Sequence, residues 1–186
     1  MLLIVALVLV AAFIAVTAGW RYQQRQLSAM QDALLRIGRE SPSTDVRQLE
    51  SLPAPVARYL RLALPEPPAM RIVRLRQRGT LRMDPHSARW MTFEAEHLAI
   101  PHAIGFLWNA RDIAPLLHVR VRDAFIDGLG SGQVSLLSAF TVSAAAETPE
   151  MNSGALYRFL AEAVWYPPAL VPSQRLRWTH PHRAGD

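Results

Sequence analysis

The sequence predicts an α+β protein: one transmembrane helix, then an antiparallel β-meander of about five or six strands covered by a helix at about 149–165. Three observations predict it. Residues 2–19 are uncharged and apolar, the apolar pattern turns from helical to alternating near residue 73, and a sharply bounded helical pattern returns at Thr148. The chain divides accordingly into an anchor at 1–20, a juxtamembrane helix and linker at 21–50, an α+β meander domain at 51–178 and an aberrant tail at 179–186. At 186 residues there is room for one domain of ordinary size beside the anchor.

As a helix, "LLIVALVLVAAFIAVTAG" spans roughly 27 Å, close to the hydrocarbon thickness of a bilayer. Trp20 and Tyr22 follow as interfacial rings, and Arg21 and Arg25 oppose further insertion. A cleaved secretory signal ending at Val16-Thr17-Ala18 fits less well, because the apolar run exceeds a signal core and no basic residue precedes it. The expected location is a membrane, crossed once. Arg21, Arg25, Arg36 and Arg39 all follow the segment, so the positive-inside rule favours a cytoplasmic domain.

Beyond the anchor, Leu27, Met30, Leu34 and Ile37 recur at helical spacing, so the membrane helix is expected to continue to about residue 40, where "ESPSTD" breaks it. "LPAPVARYLRLALP" reads as a short docking helix with Val56, Tyr59, Leu60 and Ala63 on one face. In "RIVRLRQRGTLRM", Arg74, Arg76, Arg78 and Arg82 alternate with Val73, Leu75, Leu81 and Met83, the pattern of a half-buried strand. The turn residues Asp84 to Ser87 return the chain into "RWMTFEAEHL". A hairpin folded about His86 sets Arg78 opposite Glu94 and Arg76 opposite Glu96, as ion pairs on a solvated face. "GFLWNARD", "LLHVRVRDAFI" and "QVSLLSAFTV" are further strands, the last two joined by "DGLGSG", and "QRLRWT" is a final one.

Most reaction chemistries lack their motifs. The chain has no cysteine, hence no thiolate nucleophile or thiolate metal site. All 20 basic residues are arginines spread along its length, and no aromatic residues interleave with the strand arginines, so the net charge of +5 does not point to nucleic acid. The glycines of "GLGSG" lead into a strand, whereas a dinucleotide loop opens a helix. Ser153 lacks the G-x-S-x-G elbow, and Glu150 and Glu162 are three helical turns, roughly 18 Å, apart. Glu94, Glu96, His97 and His118 are the set that could meet across strands, as metal ligands or as acid and base. No catalytic residue, metal or cofactor is assigned.

The segment "TPEMNSGALYRFLAEAVWYPPALVP" carries an N-cap at Thr148, proline at the first helical position and a stop at Pro167 and Pro168. Met151, Ala155, Leu156, Phe159, Leu160, Ala163 and Val164 form its apolar face, while Arg158 and Glu162 mark its wet side as an i, i+4 pair. The expected role is to cover the sheet, with Trp108, Met151, Phe159, Trp165 and Tyr166 as candidates to line an apolar-ligand cavity between sheet and helix.

The stretches "LPAPVARYLRLALP", "RLRQRGTLRMDPHSARWMTFEAEH", "APLLHVRVRDAFIDGLGSGQVSLLSAFTV" and "TPEMNSGALYRFLAEAVWYPPALVPS" resemble a family of bacterial membrane-anchored proteins, a domain of unknown function. The resemblance covers about residues 52–178. It implies a curved antiparallel sheet over helices, similar to the half barrel of lipoprotein carriers, and brings no catalytic residues. Family members continue after "RW" with more strands, so this copy resembles a truncated member whose half barrel is incomplete. The resulting expectation is a non-enzymatic, single-pass protein of the bacterial inner membrane whose partners are the bilayer and an apolar small molecule or lipid. The rivals are a hydrolase-like enzyme using acid and histidine residues on the concave face, and a nonfunctional fragment.

Overall fold

A helix of 39 residues opens the structure, a computed structural model that describes residues 1–41, 46–64, 70–82, 84–112, 118–145 and 147–179. This helix, α1 (Leu2–Glu40), runs without a break from the apolar segment into the polar one. Its residues up to Ala15 are exposed, and its second half lies across the sheet with Gln23, Leu27, Leu34 and Gly38 buried. A 3₁₀ segment (Val46–Ser51) and α2 (Ala54–Ala63) follow, and Leu60 of α2 is fully buried against Leu49, Leu52 and Val171. The docking helix is therefore present as expected. Met83, the linker residues 42–45, Leu116, Leu117 and the tail 180–186 with His180 and His182 lie outside the described residues.

Six antiparallel strands then follow in simple meander order: β1 (Val73–Leu81), β2 (Met91–Ile100), β3 (Gly105–Asp112), β4 (Val119–Ile126), β5 (Leu129–Leu136) and β6 (Phe140–Ala145). The sheet is open. Opposite charges set the first register as expected, with Arg76 opposite Glu96 and Arg78 opposite Glu94. Two strand assignments need correction. "QVSLLSAFTV" is divided between β5 and β6 by a turn at Leu137 and Ser138, both with φ near +54°, a conformation usually left to glycine or asparagine. Of "DGLGSG" only Asp127 and Gly128 form the turn, and the rest is strand.

The third correction concerns "QRLRWT", which is not a strand. It runs irregularly, held by hydrogen bonds from the Trp178 indole to the Leu170 carbonyl and from Arg175 to the Ala103 carbonyl. The sixth strand is β6 instead.

The expected cover is α3 (Pro149–Glu162), continued by a 3₁₀ turn (Ala163–Trp165). Thr148 caps it by accepting from the Met151 amide at 3.1 Å. With α1 on one face and α3 on the other, the sheet has a core on both sides. Phe106, Trp108 and Phe125 pack with Phe159 and Tyr166 on the α3 side, while Leu98, Ile100 and Leu107 pack with Leu27 and Leu34 on the α1 side. This is why Leu98, Ala99 and Ile100 are buried in succession rather than alternately.

Candidate functional site

Pleating sorts the candidate residues by face. His97 stands opposite Trp108 on the α3 side, whereas Glu94 and Glu96 point to the α1 side. His118 precedes β4 and has its Nε2 2.9 Å from Ser138 Oγ. The four groups expected to meet are therefore not brought together, and no cluster of three metal-ligating side chains exists among the described residues. Ser153 is exposed and lies on α3.

Under α3, buried aromatic side chains pack together. Phe159 and Tyr166 are fully buried with ring centroids 5.3 Å apart, and Trp108 is buried in the same cluster. Met151 is half-buried near Gly132, and Trp165 is 52% exposed. The five apolar-ligand candidates thus divide into core members, one flanking methionine and one surface ring.

The wet side assigned to α3 needs correction as well. Arg158 and Glu162 do pair at 3.0 Å, but both turn toward the sheet. Asp123 on β4 takes the other end of the guanidinium at 2.5 Å, and the cation lies over the Trp108 and Phe106 rings. A half-buried carboxylate and two aromatic faces hold the guanidinium here in place of water. Glu162 Oε2 then approaches His97 Nδ1 at 3.6 Å. His97 is stacked between Phe106 and Tyr166, and burial first, then the Arg158 charge, lowers its pKa to about 4. It is neutral at pH 7. Burial also pushes Asp123 up, against the pull of Arg158.

The open volume lies on the other face. A cleft of about 670 Å³ runs between α1 and the sheet, walled by Gln24 and Leu27 from the helix and by β1 to β4 from below. That is the size of a small-molecule site. Two rows of side chains form its floor and continue it sideways: Arg78, Glu94, Arg111 and Arg120 in one, Arg76, Glu96, Asn109 and Arg122 in the other. Five arginines against two glutamates leave a charge of +3 across these rows. A second, smaller cleft of about 300 Å³ shares Arg76, Glu96 and Asn109 and extends toward Gln31.

The pairing within this floor is uneven. Glu94 is bridged by Arg78 at 3.0 Å and Arg111 at 3.1 Å, and Arg122 is held by Gln26 and Gln133. Arg120 sits directly across from Arg111, a like-charge pair that opposes strand pairing. Its Nε is buried without a hydrogen-bond partner, as is Asn109 Oδ1. Burial, and then Arg111, depress the Arg120 pKa, although a guanidinium stays charged. The β1 arginines Arg74, Arg76, Arg78 and Arg82 are exposed and Arg78 pairs with Glu94, as expected, whereas the helix that roofs this face was not expected. The signal was present in Gln23, Gln24, Gln26 and Gln31, polar residues flanking the apolar stripe of α1.

Fold and cleft together define an α+β protein with an open meander between helices and, among the described residues, one helix long and apolar enough to cross a membrane. The profile of a family of unknown function (DUF6920) matches residues 50–183, and the chain belongs to that family. The match takes in the sheet and α3, while α1, which roofs the cleft, precedes it. No curated protein and no solved structure matches the chain.

Proposed function

We propose that this is a membrane-anchored lipid-binding protein that receives the phosphate-bearing headgroup of an anionic lipid in the cleft between α1 and the sheet. The observation that carries the reading is the Arg111 and Arg120 pair, like charges set side by side with a buried donor unsatisfied. Such an arrangement costs stability unless an anion completes it. Position supports the same ligand. Gln24 and Leu27 follow Trp20 by about one and two helical turns, so a helix that crosses the bilayer holds the cleft at headgroup depth. The positive-inside orientation turns it toward the leaflet with the more anionic surface.

The apolar-ligand reading under α3 has less support, because Trp108, Phe159 and Tyr166 pack against one another. An acid and histidine enzyme is disfavoured by the pleat that separates Glu94 and Glu96 from His97.

The test is native mass spectrometry of the full chain released from bilayers containing both anionic and zwitterionic phospholipid. The expected result is a retained anionic lipid, reduced at least ten-fold in Arg76→Gln/Arg120→Gln and unchanged in Arg58→Gln/Arg61→Gln on α2, since the desolvated charged hydrogen bond of Arg120 alone contributes on the order of 1.5–3 kcal/mol. Loss of lipid equally in both variants, or none retained by the parent, would overturn it.

A further inference from the structure

Where α1 leaves its apolar segment, the sheet touches it. Gly19 lies so close to Ala139 that a side-chain carbon on it would stand 2.7 Å from the Ala139 carbonyl oxygen, so only glycine admits the contact. Val16 and Thr17, in the same helical turn, are half-buried, in contrast to the exposed residues before them. Val16 is four residues, roughly 6 Å, deeper along the helix than Trp20. The β5–β6 hairpin therefore reaches the last turn of the apolar segment at Gly19, the residue before the Trp20 ring that marks its interface.

That hairpin is rigid and apolar at its end. Ser138 is held by His118 at 2.9 Å, and the Leu137 amide donates to the His118 carbonyl at 2.9 Å. Phe140 and Val142 follow on the outer strand, 43% and 62% exposed. On the inner side Thr141 accepts from Gln23 at 2.9 Å, which ties β6 to the helix. No charged residue occurs between Val134 and Ala146. Charged groups on an exposed edge strand ordinarily protect it, and β6 has none.

We infer that the β5–β6 hairpin is a second membrane contact, in which Phe140 and Val142 enter the interfacial zone of the bilayer beside Gly19 and fix the tilt of the domain on its anchor. The inference rests on reading the first half of α1 as membrane-crossing, and it goes beyond the headgroup site. α1 crosses the sheet from Ala139 and Thr141 at one end to Ile72 and Ile100 at the other, so this corner of the sheet is the one nearest the apolar segment. An amphipathic edge held at that depth buries its apolar side chains in lipid at little conformational cost.

The absence of cysteine makes the test direct. Phe140→Cys, Val142→Cys and, on exposed α3, Ser153→Cys are labelled with an environment-sensitive fluorophore in the full chain, in vesicles of zwitterionic phosphatidylcholine. The first two should emit blue-shifted and be quenched several-fold more by lipid spin-labelled high on its acyl chain than the third. Water-like emission from 140 and 142, in protein that resists carbonate extraction, overturns the hairpin contact and leaves the headgroup reading standing. A blue shift without lipid quenching assigns the edge to a second copy of the chain and also overturns it. Extraction by carbonate overturns both readings at once. Neutral lipid keeps the outcome independent of the arginine cleft.

Discussion

His97 is a buried imidazole with neither ring nitrogen hydrogen-bonded, facing Glu162 and Arg158 from α3 and stacked on Phe106 and Tyr166. Its folded pKa of about 4 lies below the ordinary 6.5, so the unfolded chain binds the proton more readily. The stability held by the neutral ring is complete above pH 6.5 and falls as pH drops toward 4, by an amount of about 3 kcal/mol. Asp123 is pushed up by burial and acts in the opposite sense, so the comparison must be made between variants. In His97→Leu the acid-side loss attributable to the ring should vanish. Denaturant midpoints of parent and variant at pH 7 and pH 4.5 check it, and parallel changes in both would refute the assignment. The sequence singled out His97, but as a partner of Glu94 and Glu96. One residue of pleat separates those roles, and only the register with Trp108 shows which face is dry.

At the level of elements, α3 sits on β5 because β5 is nearly bare. A side-chain carbon on Gly130 would stand 2.6 Å from the Met151 carbonyl oxygen and 3.0 Å from the Ala155 Cβ, and the Gly130 amide donates to Asn152 Oδ1 at 2.7 Å. Gly130→Ala must therefore push the helix off its seat, at a cost of about 1–3 kcal/mol. A thermal melt by circular dichroism should show the lower midpoint, and an unchanged midpoint would mean that α3 adjusts freely. The glycine run was legible as something other than a phosphate loop, though its purpose as a helix seat was not, since α3 arrives about 20 residues later. Local signals located α3 itself well: the Thr148 cap, Pro149 and the prolines after Trp165 act within a few residues. Arg158 and Glu162 misled because charge ordinarily marks the solvent side. Their reason for facing inward, Asp123, lies 35 residues upstream. The β5–β6 turn is illegible in the sequence for a different reason, because Leu137 and Ser138 adopt left-handed φ without the glycine or asparagine that announces such turns.

For the whole molecule, α1 is two helices in function although one in structure. Residues up to Ala15 are exposed, whereas Leu27 and Leu34 complete the core on Leu98, Ile100 and Leu107. Both halves were legible as helix, the first by length and the second by its 3 and 4 spacing. That the second half is a layer of the domain, rather than a spacer on the way to it, follows from long-range packing that no local pattern carries. The cleft shares that origin, since removing α1 leaves its arginines on an open sheet. A chain starting at residue 20 should accordingly remain folded and monomeric, with a cooperative melt. A chain starting at residue 42 uncovers an apolar face that includes Leu98, Ile100 and Leu107, of the kind that drives association. It should aggregate, or melt without a sharp transition. Size-exclusion chromatography with circular dichroism distinguishes the two, and equal behaviour of both truncations would show that residues 20–41 are only a tether.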